Sequence, residues 1–86
     1  MQNDTLIMRI QTINYHFMET FYLEKKNHVD LSKLLQLMDI CFSKEEAEQL
    51  IFGRRVSVNG IKEIREHAKI RFGYMIEVNG HKIMIE

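Results

Sequence analysis

The stretch Leu50–Lys62, Leu-Ile-Phe-Gly-Arg-Arg-Val-Ser-Val-Asn-Gly-Ile-Lys, decides the fold of this chain. Its first residues have the pattern of a last helical turn. Gly53 is placed to end that helix, because glycine adopts a left-handed conformation without steric cost. Val56 and Val58 alternate with a serine, which is typical of a short strand that turns two β-branched side chains to one face. Asn59-Gly60 is the pair best suited to a two-residue turn. The stretch therefore predicts a helix leading directly into a β-hairpin.

Two arginines, Arg54 and Arg55, stand at the corner between this helix and the hairpin. Guanidinium groups on a rigid corner suit phosphate recognition better than burial. The net charge is zero, but residues 1–53 carry five Lys/Arg and eight Asp/Glu, whereas residues 54–86 carry seven and four. A local positive excess can attract an anionic partner to a protein that is neutral overall. A solvated basic surface without a partner explains the same distribution equally well.

The composition of the 86 residues is that of one small globular domain, without proline, tryptophan or low-complexity segments. The single Cys41 excludes an intramolecular disulfide and indicates a buried, inert thiol. The four histidines lack metal-ligand spacing, and nucleophile motifs and phosphate-binding glycine loops are absent. We therefore expect neither catalysis nor a cofactor. No apolar run suggests a membrane span and the N-terminus has no signal-peptide pattern, so we expect a soluble cytoplasmic protein.

Residues 1–17 form an N-terminal extension whose structure the pattern leaves open. Leu6, Ile10, Ile13 and Phe17 have helical spacing, and the same segment also alternates as a strand would. We expect a helix here, followed by a short strand in Met18–Glu24. Residues 18–86 are then the single domain, and we expect a chain that begins at Met18 to fold without the extension.

Two helices with clear start signals follow. Asp30 is placed to cap the first. Ser43, with Glu46 three residues later, forms a capping box for the second, and Phe42 is placed to pack against Ala47 as a hydrophobic staple. A capped pair of this kind is compatible with a DNA-binding helix-turn-helix. The carboxylates on the second helix, at positions 45, 46 and 48, argue against one because they would repel the phosphate backbone.

Short strands occupy the remainder of the chain. A second Asn-Gly turn, Asn79-Gly80, separates Met75–Val78 from His81–Ile85, and the return strand of the first hairpin is expected in Ile61–Ile64. Two packed helices followed by antiparallel β-hairpins predict an α+β fold.

The helix pair and the hairpin together resemble the RNA-binding domain first described in ribosomal protein S-four. The resemblance covers roughly residues 29–79 and is carried by these positions: Leu34-Leu35, Ile40, Ser43, Ala47, Leu50-Ile51 and Val56-Ser-Val-Asn-Gly60. Glu63-x-Arg65-x-x-x-Lys69-Ile70 and the strand beginning Met18-Glu-Thr-Phe are similar to the small free-standing bacterial YbcJ-like members of this superfamily. In the family, two helices and a hairpin form the L-shaped surface called the alpha-L motif, which holds structured RNA.

This resemblance implies a non-catalytic RNA-binding module whose target is ribosomal RNA or tRNA. It suggests the ribosome or ribosome-associated proteins as further partners, and no contact with DNA or membrane is expected. Carried onto this sequence, the contact residues are Ser43, Lys44, Arg54, Arg55, Lys62, Arg65, Lys69 and Tyr74. The basic residues among them are expected to contact phosphates, Ser43 and Lys44 to assist from the start of the second helix, and Tyr74 to stack. The alternative is a protein-interaction adaptor that kept the fold, lost RNA binding and uses the apolar stripe Leu6–Phe17.

The sequence departs from the family pattern at four positions. Asp39 and Arg54 stand where the family usually has glycine, and Tyr74 stands where aspartate is common. Glu48 replaces a frequent Lys or Arg, which removes a positive charge from the expected RNA face. Asp39 is a mild exchange, because aspartate tolerates the left-handed conformation. Arg54 is expected to reshape the corner and to restore part of the charge.

Overall fold

The computed structural model describes residues 17–86. Its elements in chain order are β1 (Phe17–Phe21), β2 (Val29–Asp30), α1 (Leu31–Leu37), α2 (Lys44–Phe52), β3 (Val56–Val58), β4 (Ile61–Lys62), β5 (Lys69–Ile70), β6 (Met75–Val78) and β7 (His81–Ile85). The larger sheet has the strand order β1-β7-β6-β3-β4, and β2 pairs with β5 in a separate two-stranded sheet. The predicted α+β fold with a helix pair ahead of hairpins is confirmed. The helix expected before Phe17 lies outside the described residues.

The larger sheet is mixed, because its edge strand β1 runs parallel to β7, from the pair Phe17–His81 to the pair Phe21–Ile85. The other pairs in this sheet are antiparallel, as expected. Parallel neighbours need a long connection between them. Here both helices and five strands lie between β1 and β7 along the chain, and no local sequence pattern indicates such a pairing.

Both Asn-Gly turns have the predicted conformation. Asn59 and Gly60 have φ angles of 52° and 85°, and Asn79 and Gly80 have φ angles of 48° and 81°. Asn59 also ties its hairpin to β6: its Oδ1 accepts a 2.9 Å hydrogen bond from the Met75 N–H, and its N–H donates to the Met75 carbonyl at 2.8 Å. The return strand β4 is shorter than expected and ends at Lys62. The hairpin is therefore a fixed platform at one edge of the sheet.

The first helix begins differently from the prediction. Asp30 is at the N-cap position, but its side chain accepts no hydrogen bond from the helix and instead contacts His67 Nδ1 at 2.8 Å. The N–H groups of Leu31 and Ser32 donate to the carbonyls of Ala68 and Glu66, each at 3.0 Å. A distant loop thus satisfies helix-end donors that a side-chain cap usually serves. The predicted Asp30 cap is wrong, and the 66–68 loop is anchored to α1.

The second helix begins at the predicted capping box. Ser43 Oγ accepts from the Glu46 N–H at 3.1 Å, and Glu46 Oε1 accepts from the Phe42 N–H at 2.7 Å. The reciprocal bond therefore reaches Phe42, one residue before the N-cap. The Phe42 side chain itself is 83% exposed while Ala47 is buried, so the predicted staple between them is wrong.

Replacing Ser43 by Ala is expected to lower the free energy of unfolding by about 1 kcal/mol, because the Glu46 N–H loses its acceptor. Chemical denaturation of both proteins measures this difference. Lys44→Ala, at the next position, removes no cap and is the control. Equal stability of wild type and Ser43→Ala would show that the hydroxyl does not hold the start of α2.

The residue with the left-handed conformation after α2 is Arg54, one position later than the predicted Gly53. Gly53 has a φ of −80°, whereas Arg54 has a φ of 61°. Arg54 N–H donates to the Ile51 carbonyl at 3.1 Å and Arg55 N–H donates to the Leu50 carbonyl at 2.9 Å. These two bonds form a Schellman motif, whose left-handed position usually holds glycine. The prediction for Gly53 is wrong; that glycine serves close packing, because an added Cβ would meet the Gln49 carbonyl oxygen at 2.8 Å.

The core is built from both helices and the inner face of the sheet. Its most deeply buried side chains are Leu31, Leu34, Leu35, Ile51, Val56, Ile70, Ile76, Ile83 and Ile85. Cys41 is also buried, as predicted, and burial is the main cause that raises the pKa of its thiol. Packing on this scale holds the corner after α2 and the hairpin as one rigid unit.

Candidate nucleic-acid interface

Three exposed cations, Arg54, Arg55 and Lys62, lie at the junction of α2 with the first hairpin and are called here the basic corner. The Schellman bonds fix the backbone of the two arginines, and Lys62 stands opposite Ser57 on the edge strand β4. The Glu63 N–H donates to the Val56 carbonyl at 3.0 Å, which turns the following residues back beside the start of β3. The fold thus brings the predicted residues Arg54, Arg55 and Lys62 to one end of β3.

Arg65 approaches the same end of β3, but its charge is already matched. Its Nε and Nη2 atoms lie 2.8 and 3.0 Å from the two carboxylate oxygens of Glu63, and its backbone N–H donates to the same carboxylate at 3.0 Å. These hydrogen bonds lower the pKa of Glu63 to about 2. Arg65 therefore adds little net positive charge to the surface, although its side chain is 76% exposed.

Lys69 lies apart from the corner, at the far end of the loop anchored to α1. It belongs to β5 and stands opposite Asp30 of β2. Next to it, His67 contacts Asp30 at 2.8 Å and approaches Glu66 at 3.8 Å. Within residues 17–86, Arg55, Lys62 and Lys69 form no ion pair. Their charges are therefore available to an anionic ligand.

An acidic contact lies between α2 and this loop. The side chain of Glu48 is hydrogen-bonded to that of Glu66, and this contact raises the pKa of Glu48. Glu66 Oε2 is buried and has no hydrogen-bond partner in the described part of the chain. Two ionised carboxylates in contact repel each other, and binding of a proton relieves that repulsion. Glu48, the predicted departure from the family, thus places an acidic side chain on α2, against the loop that leads to Lys69.

The other predicted contact residues lie elsewhere. Ser43 and Lys44 are at the opposite end of α2 from the basic corner, about 13 Å along the helix at 1.5 Å per residue. Ser43 Oγ is also occupied as the helix cap. Tyr74 is half-buried against the core and precedes Met75, which is bonded to the turn at the other end of β3. Tyr74 therefore does not present an open ring next to the basic corner.

The sequence did not predict that two aromatic side chains are exposed on the surface. Phe42 at the start of α2 and Phe72 in the loop before β6 are 83% and 73% exposed. Periodicity alone assigns such residues to the core, so only an explicit three-dimensional placement separates them from buried phenylalanines. Phe42 directly precedes the capping serine, and this position predicted a packed hydrophobic staple and not an exposed ring.

Residues 17–86 contain neither a candidate metal site nor a candidate membrane span. Histidine, cysteine and carboxylate side chains form no group there that could hold a metal ion. None of the helices in this range has the length and apolar character that a membrane crossing requires.

The fold and this basic surface define a known class of domain. A family model described as S4 domain matches residues 21–86, and the chain belongs to that family. The match begins at the last residue of β1 and includes both helices, the basic corner and the C-terminal strands.

Relatives within this family include YbcJ of Escherichia coli strain K12, named "Putative RNA-binding protein YbcJ". It is 35% identical to this chain over 68 residues, which cover 79% of this chain and 97% of the relative. YbcJ of Shigella flexneri shows the same identity and coverage. The solution structure of E. coli YbcJ, described as revealing an αL motif involved in RNA binding, superposes with a TM-score of 0.63 over 79% of this chain and 86% of that structure. This likeness confirms the alpha-L fold.

Replacing Arg54 by Gly is expected to stabilise the protein by about 0.5–1 kcal/mol, because glycine adopts a positive φ without the steric cost that arginine bears. The variant also loses one charge of the basic corner. Arg55→Gly is the matched control, since it loses the same charge at a position that has no positive φ. Thermal melts should show a higher Tm for Arg54→Gly alone. A lower Tm would mean that the arginine side chain contributes more than its backbone strain costs.

Proposed function

We propose that this protein binds structured RNA without catalysis, and that the basic corner together with Lys69 contacts the phosphate backbone. The observation that supports this most is that Arg54, Arg55 and Lys62 are exposed and form no ion pair within residues 17–86. They stand on backbone that the Schellman motif and the hairpin fix. The relatives support RNA binding in general, without a particular RNA. E. coli YbcJ is named as a putative RNA-binding protein, and its alpha-L motif is described as involved in RNA binding. Ribosomal RNA and tRNA are the targets that the family resemblance suggests.

The mechanism follows from which groups are available. Guanidinium and ammonium groups on a fixed surface contact phosphates and set the position of an RNA helix, while its deep major groove keeps side chains from reading bases. Arg65 is a weaker contributor in this proposal than the sequence indicated, because a phosphate must compete with Glu63 for its guanidinium. The adaptor alternative depends on Leu6–Phe17, which lies outside the described side chains.

A salt titration with charge-reversed variants tests the proposal. If Arg54, Arg55, Lys62 and Lys69 each neutralise one phosphate, the slope of log affinity against log salt should be about −3 to −3.5. Arg55→Glu with Lys62→Glu should weaken binding by about tenfold or more at low salt and make the slope shallower by about two units, because two phosphate contacts are lost. Total tRNA and a ribosomal RNA fragment serve as probes.

The matched control reverses the same number of charges elsewhere. Lys25→Glu with Lys26→Glu changes two exposed lysines in the connection between β1 and β2, away from the corner. The control should bind RNA with nearly the affinity of the wild type. Its change in net charge alone should weaken binding much less than the loss of two phosphate contacts does. Equal losses of affinity in both double variants would show that net charge, and not the basic corner, determines binding. Absence of RNA binding by the folded wild type at low salt would contradict the proposed function.

A further inference from the structure

The exposed Phe42 is held by a rigid backbone. Its N–H donates to Glu46 Oε1 at 2.7 Å, within the capping box that starts α2. Its ring is 83% exposed, so it contributes little to the core. Isolated exposed apolar residues are common on protein surfaces and need no explanation. The surroundings of this ring distinguish it from such cases.

Phe42 lines an open groove of about 530 Å³ that runs along α2 to the basic corner. Ile40, Leu50 and the buried Cys41 give it an apolar lining, and Gln49 adds an amide. Arg55 lines the other end, with its Cγ 3.9 Å from the position that a Cβ on Gly53 would occupy. The groove therefore joins an aromatic ring, a side-chain amide and a guanidinium whose charge no ion pair in the described residues neutralises.

We infer that this groove receives one unpaired nucleotide of the bound RNA. The base stacks on Phe42, the Gln49 amide bonds its edge, and Arg55 contacts its phosphate. Single-stranded loops and bulges are recognised in this manner, with bases on aromatic rings and hydrogen bonds to their edges. The inference rests on the proposed RNA binding and extends it from phosphate contacts to a nucleotide-specific subsite.

The charges in the groove agree with a nucleotide better than with an acidic or purely apolar ligand. Glu46 is the carboxylate in the lining, and one of its oxygens already accepts from the Phe42 N–H. Arg55 offers the complementary charge for a phosphate, and an amide offers both a donor and an acceptor, the combination that pairs with adenine. Along the groove, the aromatic ring and the amide therefore match the face and the edge of one base, and the cation matches its phosphate.

The test compares two RNA hairpins with the same stem, one fully paired and one with a single bulged adenosine. Fluorescence anisotropy at low salt should show tighter binding of the bulged hairpin by about fivefold or more, the range for one base stacked on an aromatic side chain. Phe42→Ala should abolish this preference and leave the affinity for the paired hairpin within about twofold, because phosphate contacts remain. Phe42→Tyr should retain the preference.

Phe72→Ala is the control, since Phe72 is similarly exposed and does not line this groove. It should keep the preference for the bulged hairpin. Equal binding of both hairpins by wild type, or a preference for the bulged hairpin that survives Phe42→Ala, would overturn the inference. In either case, salt-dependent binding of both hairpins would still support the proposed RNA binding. Absence of binding to either hairpin by the folded protein would overturn both.

Discussion

Replacing Leu35 by Ala should lower the free energy of unfolding by about 2–5 kcal/mol, the range for truncating a buried leucine in a well-packed core. Leu35 has no exposed surface. Its carbonyl also accepts from the N–H groups of Ile40 and Cys41, so the residue lies where the chain turns from α1 towards α2. Domains of this size have about 5–15 kcal/mol of stability in total, so the loss is a large share.

Leu37→Ala is the matched control on the same helix, because its side chain is 51% exposed. Urea denaturation should give a much lower midpoint for Leu35→Ala and a midpoint near that of wild type for Leu37→Ala. Similar midpoints for the two variants would contradict the assignment of Leu35, and not Leu37, to the core.

Replacing Glu48 by Lys should tighten RNA binding by about tenfold at low salt, because an acidic side chain on the helix that leads to the basic corner becomes a positive one and can add a phosphate contact. The same change converts the repulsive contact with Glu66 into an ion pair, so the Tm at neutral pH should rise. Glu48→Gln separates the effects, since it removes the repulsion without adding positive charge.

The pH dependence of these variants has a defined sign. The pKa of Glu48 is raised in the folded protein, first by its hydrogen bond with Glu66. The unfolded chain therefore loses this proton at a lower pH than the folded protein, and stability from the shared proton is lost as pH rises through the folded pKa. The Tm advantage of Glu48→Gln over wild type should thus be present at neutral pH and shrink as the solution is acidified towards the ordinary pKa of a glutamate. An advantage that grows on acidification would exclude the proton shared with Glu66.

The local features of this fold follow from short patterns in the sequence. The Ser43 cap and both Asn-Gly turns depend on residues within a few positions of one another, and all three have the predicted geometry. The left-handed Asp39, with a φ of 60°, is of the same kind. In each case the side chain that stabilises the conformation belongs to the segment that adopts it.

One error arose where a distant segment competes for the same groups. The 66–68 loop supplies the carbonyls that satisfy the start of α1, which leaves Asp30 free to contact His67. The Schellman bonds place the left-handed residue at Arg54, although Gly53 is adjacent, because Gly53 is needed where the chain passes close to the Gln49 carbonyl. The contact made by Asp30 is tertiary, and local propensity does not encode it. The Schellman bonds and the ion pair of Arg65 with Glu63 are local, but the glycine and charge patterns alone do not fix them.

The parallel pairing of β1 with β7 has a consequence for the order in which the protein folds during its synthesis. The capped helix α2 and the two strands of the first hairpin use contacts between nearby residues, so they can form while later parts of the chain are still being made. The strand β1 is synthesised before all of them, yet its neighbour β7 is the last of the described strands to leave the ribosome. The nascent domain must therefore carry an unpaired strand edge until β7 arrives, and such edges are sites of aggregation. Slow translation between β6 and β7 would lengthen this exposed interval.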